Sequence, residues 1–434
     1  MEKTFFFVSG IANDEKSKKL MRRHVMKGKN AGKKILRRSR LDLQVTQGQP
    51  HVFEGVSRIS SDRKQIEPMN YAEWRYLSPD KMSLELGNVF HTFSIPVEVT
   101  PYSLGIINKS YQCQLALMQA SNEIFHCHGE SSPKAMYHLS QTFAQVNKRL
   151  QGDDALSDST IAIVMSLITQ EQIRQQLSAA TVHLKGLEKM VELRGGLTQL
   201  GQNVPLVLKI CKTDILFALQ EGGSASFFRD QMDDVRKRLL AQKLRLDRHS
   251  SISSTRHEHL NPYLWDINLD AMGISLLFNQ LGSKTVDYMI FLEALVSLCY
   301  RLLKFRSLRD ASTWFDKQSA HHIGLITFMM TLFLQNDRYR LINYSLVPVC
   351  LKNALQHERQ EQNLEFSFWL TLIGGIWISD EPENEWIASE LRMRAQRLSL
   401  GSWEDARRFA LKYPWINGLH DEPGRIFWQR AHKM

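Results

Sequence analysis

Residues 156 to 197 read LSDSTIAIVMSLITQEQIRQQLSAATVHLKGLEKMVELRGGL, and this stretch decides the fold class. Apolar residues recur through it at three- and four-residue spacing, from Ile161, Ile163 and Val164 to Leu184, Leu187, Val191 and Leu193. That spacing is helical. Asp158 or Ser159 is placed to cap the first helix, and Gly195 and Gly196 are placed to stop the second.

The same pattern continues on both sides. Past Tyr71 it predicts helices near 101–127, 134–150, 156–175, 178–194, 204–220, 227–245, 285–306, 319–334, 338–357, 364–378, 383–398 and 402–412. Asp421-Glu422-Pro423-Gly424 reads as a turn with Pro at the first position of a last helix running through Trp428. Runs of period two are scarce, and no repeat of 20 to 50 residues is visible. The expectation is an all-α chain: a large regulatory domain of antiparallel packed helices over residues 69–434, preceded by a basic, mostly flexible segment over residues 1–68. The polar run RLDRHSSISSTRHEHLN predicts an internal exposed loop over 246–262, either disordered or a site of phosphorylation.

With 43% hydrophobic and 23% charged residues, 434 residues suffice for one large core or two ordinary ones. The longest apolar stretches, Leu370 to Ile378 and Ile326 to Leu334, are well short of the ~18 residues that a membrane span needs. The run Phe5, Phe6, Phe7 and Val8 is too short for a secretory core, and its positive charges follow it, so an intracellular protein without membrane association is expected. Cys113, Cys127, Cys211, Cys299 and Cys350 form no CxxC pair, and buried free thiols are expected.

Charge is concentrated at one end. Lys16 to Arg40 holds twelve Lys or Arg and no Asp or Glu, leaving 43 basic against 45 acidic residues elsewhere. Its clusters, Lys18-Lys19 to Arg22-Arg23 and Lys33-Lys34 to Arg37-Arg38, stand about ten residues apart, as in a bipartite nuclear import signal. The same residues can neutralise phosphates, giving salt-sensitive nucleic-acid binding without sequence preference. Lys18, Lys19, Arg22, Arg23, Lys33, Lys34, Arg37 and Arg38 are therefore the candidates for contact with an import receptor or with phosphate. A merely solvated tail is the bland alternative.

Other motifs fail on spacing. Gly28-Lys29-Asn30-Ala31-Gly32-Lys33-Lys34 lacks the glycine separation, the Ser or Thr and the following apolar helix of a phosphate-binding loop. His126-Cys127-His128 carries metal-ligand chemistry, but alternate helical positions do not converge on one ion. His257-Glu258-His259 and His321-His322 read as surface or capping residues. There is no GxGxxG, GxSxG or HExxH, so neither a catalytic site nor a cofactor or metal is expected. The aromatic and Met residues from Trp265 to Phe333 read as core, with a cavity for a small effector as the alternative.

His183-Leu184-Lys185-Gly186-Leu187-Glu188-Lys189-Met190-Val191-Glu192-Leu193-Arg194-Gly195-Gly196-Leu197 resembles the HLxGLxxLVxLRGGL block of the fungal transcription-factor-like regulatory domain, and Thr160 to Glu171 resembles the helix before it. Phe7-Val8 with Lys18 to Met26, and Trp415-Ile416 with His420-Asp421-Glu422-Pro423-Gly424-Arg425, are similar to the opening and closing segments of a subgroup with a basic segment instead of a binuclear zinc cluster. The resemblance implies a nuclear regulator of transcription, often near secondary-metabolism or nutrient genes, that works with the transcription machinery or other regulators through its helical domain. The six tightly spaced cysteines of zinc-cluster members are absent, so no DNA-reading residue carries over. Homo-oligomerisation is left open. Two other readings stand beside this one: a cytoplasmic scaffold whose tail docks on acidic partners or anionic membrane, and a helical enzyme with a deep pocket of titratable groups.

Overall fold

The computed structural model describes residues 133–248, 260–281, 286–309, 317–333, 342–358, 363–378 and 385–433. Of these, 78% are helical and none lies in a strand, as the all-α expectation requires. The 1–68 segment, the 68/69 boundary and the predicted helix 101–127 lie outside the described residues.

In chain order the helices are α1 (Pro133–Leu150), α2 (Asp158–Ile173), α3 (Leu177–Leu193), α4 (Val204–Glu221), α5 (Met232–Ala241), α6 (Pro262–Gln280), α7 (Tyr288–Phe305), α8 (Lys317–Phe333), α9 (Leu346–Glu358), α10 (Leu364–Ile378), α11 (Glu385–Arg397), α12 (Trp403–Ala410) and α13 (Asn417–Lys433). The pair α2 and α3, joined by three residues, packs along its length and carries α1 and α4. Helix α4 then meets α7, whose sequence YMIFLEALVSLCYRLLKF is apolar on nearly every side. A helix apolar all round must be covered all round. Accordingly α4, α5, α6 and α8 enclose α7.

Helix α10, LEFSFWLTLIGGIWI, plays the same part further along, packed by α8, α9, α11, α12 and α13. Gly374 and Gly375 let its neighbours close in. A Cβ on Gly375 would stand 1.9 Å from the Phe427 ring of α13, and one on Gly374 would stand 3.1 Å from Ile387 of α11. Trp369 of α10 and Trp415, which precedes α13, are both buried, each contributing about 1.5–3 kcal/mol or more by leaving water. No described helix is long and apolar enough to cross a membrane.

The structure corrects several expectations. The cap of α2 is Ser157, whose Oγ accepts the Thr160 N–H at 3.3 Å, so Asp158 is already helical. The predicted 227–245 helix contracts to Met232–Ala241, because residues 222–231 are non-helical and their backbone N–H groups bond to side chains of other helices. The predicted 338–357 helix starts at Leu346. The predicted loop 246–262 yields at Pro262 to a helix that was not expected, α6, whose Asp266 and Asp270 are neutralised by arginines from elsewhere. Residues 249–259 lie outside the described ones. Pro423 does not open the last helix but sits inside it, since α13 starts six residues earlier at Asn417. Cys211, Cys299 and Cys350 are buried and free, as expected of them.

Candidate functional site

Lys18, Lys19, Arg22, Arg23, Lys33, Lys34, Arg37 and Arg38 lie outside the described residues, as do His126-Cys127-His128 and His257-Glu258-His259. His322 is not a surface or capping residue, whereas His321 is partly exposed. His322 is buried with Nε2 2.9 Å from the Leu302 carbonyl, and the His321 ring stacks on Phe366 at 3.8 Å. Among the described residues no group of three or more His, Cys, Asp or Glu is placed to hold a metal ion.

What the fold assembles instead is a polar stripe on the otherwise apolar α7. Glu293, Ser297, Tyr300, Arg301 and Lys304 recur at three- and four-residue intervals, so they share one face. A non-helical strap, Gly222 to Gln231, bent at Gly223 and Ser226, lies against that stripe. The buried Asp214 carboxylate of α4 accepts the backbone N–H groups of Ser226 and Phe227, each at 2.9 Å, and the Tyr300 hydroxyl at 2.9 Å. Arg229 makes a two-pronged contact with Glu293, Nε to Oε1 at 2.6 Å and Nη2 to Oε2 at 2.9 Å. The Gln231 N–H donates to Ser297 Oγ at 2.8 Å. At the other end the Gly222 carbonyl accepts the Arg309 N–H at 2.8 Å and the Ser307 hydroxyl at 2.6 Å. Gly222 has φ +79°, and a Cβ there would meet Leu346 at 2.3 Å, so the strap leaves α4 through a position that only glycine fills without strain. Burial pushes the Asp214 carboxyl up to about 6 despite its three donors.

Beside the strap stands an ion cluster. Asp270, fully buried, receives Arg236 at 2.7 Å, Arg301 at 2.7 Å and Arg248 at 3.2 Å. Asp266 receives Arg248 and Arg301, and Asp230 lies 3.7 Å from Arg301. Removing an ion of this size from water costs several kcal/mol, and only saturation by partners offsets that. Each arginine here is shared between carboxylates, so the cluster joins elements to one another and presents no anion site.

Of the three stretches quoted for the resemblance, Phe7 to Met26 lies outside the described residues, and the other two are internal joints. In the first, Arg194 bonds Asp158, which also accepts from Asn203 Nδ2 at 2.7 Å, tying the end of α3 to the starts of α2 and α4. Gly195 and Gly196 take φ +89° and +87°, and the Gly196 N–H bonds back to the Val191 carbonyl at 2.9 Å, the helix stop that the sequence predicts. His183 is buried with its ring stacked on Phe143 at 5.7 Å, and burial lowers its pKa to about 4. In the second block, Asp421 accepts Trp415 Nε1 at 2.9 Å and Arg407 Nε at 3.0 Å, while Gly424 leaves room for the rings of Trp403 and Trp415. Asn279 of α6 accepts the Asn417 N–H and donates to the Trp415 carbonyl, both at 2.8 Å.

Thr331 Oγ1 and His420 Nε2, 2.9 Å apart, have the composition of a nucleophile and its base, but the protons run the wrong way. The Ile416 N–H donates to His420 Nδ1 at 2.9 Å, so the ring proton is on Nε2 and is donated to Thr331, which donates in turn to the Phe328 carbonyl at 2.6 Å. Two small clefts, one beside Cys299 and Met329 and the other beside Ile274 and Phe291, each have room for about one water. Neither accommodates a small effector. No family model, curated protein or solved structure matches the chain.

Proposed function

We propose that the protein is a nuclear regulator of transcription of the fungal transcription-factor-like kind, in which a basic segment serves import or phosphate contact and a helical domain serves interaction with other regulators. The observation that carries this is the acid-free run from Lys16 to Arg40, with twelve basic residues in 25, on a chain otherwise close to neutral. Support for the class comes from the resemblance at residues 183–197 and 415–425. In both stretches the residues quoted for the resemblance also bear the fold: Arg194, Gly195 and Gly196 end α3, and Asp421 and Gly424 seat Trp415. A motif that secures packing is what members of one fold would share, whatever their targets. Catalysis forms no part of this function, and a metabolic or secondary-metabolite pathway is the kind of target that the resemblance implies.

The test is localisation of the full chain fused to a fluorescent protein, beside a variant with Lys18, Lys19, Arg22, Arg23, Lys33, Lys34, Arg37 and Arg38 changed to Ala. Nuclear signal lost in the variant is the expected result. A wild-type protein that stays in the cytoplasm would instead favour a scaffold with a polyanion-binding tail.

A further inference from the structure

We draw no further inference here: the strongest candidate, the partly exposed aromatic patch at the carboxyl end of α7 where Phe228 meets Tyr300 and Tyr263 meets Phe305, sets Asp230 and Asp266 against Arg301 and Lys304 and so has no charge of one sign to select a partner, and nothing in the structure shows what covers it.

Discussion

His420 Nδ1 accepts the Ile416 N–H while its Nε2 faces Thr331, so the ring bridges α8 and the start of α13 only in its neutral form. Burial lowers its pKa to about 3 and that of His183 to about 4, both from an ordinary value of 6.5. The unfolded chain therefore binds protons that the folded chain does not, and stability falls as pH drops through the window from 6.5 to 3–4, by about 1.4 kcal/mol per pH unit for each histidine. Asp214 acts in the opposite sense: burial raises its pKa to about 6, so its contribution to stability grows as pH falls below 6 and is fully present below 3.8. Burial also raises Glu171, which acts in the same sense as Asp214, but the larger shifts of the two histidines outweigh both carboxylates, so a net loss in acid is expected. Denaturant midpoints measured from pH 7 to 4.5 should decline for wild type and decline less steeply for His420→Asn. Parallel slopes would mean that His420 takes up its proton without loss of the fold.

Much of this arrangement was legible in the sequence, but unevenly. The period of residues 160–197 and the Arg194-Gly195-Gly196 stop were readable because local chemistry decides them: a left-handed C-cap needs glycine. The buried α10 was readable because an unbroken apolar run of this length has few other places to go. Helix α6 was not. Its Asp266 and Asp270 resemble surface residues until Arg236, Arg248 and Arg301, 18 to 35 residues away, come to them. The stripe Glu293, Ser297, Tyr300 on α7 has visible spacing, but its partners Asp214, Arg229 and Gln231 come from another helix and from a segment that itself read as helical. Pro423 misled because proline usually opens a helix, and four of the six residues before it that begin α13, Asn417, Gly418, His420 and Asp421, are weak helix formers, secured here by Asn279 and His420.

Asp270 tests how far the ion cluster holds the junction together. Asp270→Ala leaves Arg236 and Arg301 facing a vacated, fully buried position, and the expected loss is about 3–5 kcal/mol. Asp233 also bonds Arg236, at 2.6 Å, but its side chain is 88% exposed, and Asp233→Ala should cost less than about 1 kcal/mol. Urea unfolding of both variants distinguishes the cases. Equal midpoints would mean that the buried carboxylate is replaced by water at little cost.

Gly375→Ala sets two effects of opposite sign against each other. Alanine favours a helix over glycine by about 0.5–1 kcal/mol, but the added methyl would stand 1.9 Å from the buried Phe427 ring, and overpacking costs about 1–3 kcal/mol. The clash should win, because the ring is not the end of a flexible chain. Adding Phe427→Leu to Gly375→Ala should recover part of the loss, giving a non-additive pair by thermal melting. Gly401→Ala is the control: its Cβ meets nothing within 4 Å, and no loss is expected.

Arg248 and Asp266, on either side of residues 249–259, bond to each other. The parts before and after that segment also meet along α4 and α5 against α7, and Tyr300–Asp214, Arg229–Glu293 and Arg236–Asp270 all cross the junction. A cut within 249–259 removes no described contact. If residues 251–256 are replaced by a specific protease site and cleaved, the two fragments should elute together from a sizing column at micromolar concentration. Their melting temperature should then rise with protein concentration, since association has become bimolecular. Adding Asp270→Ala to the cleaved chain should separate the fragments, because the joint they share has lost its central carboxylate. Fragments that part without that substitution would show that the covalent link, and not the polar junction on α7, holds the two portions together.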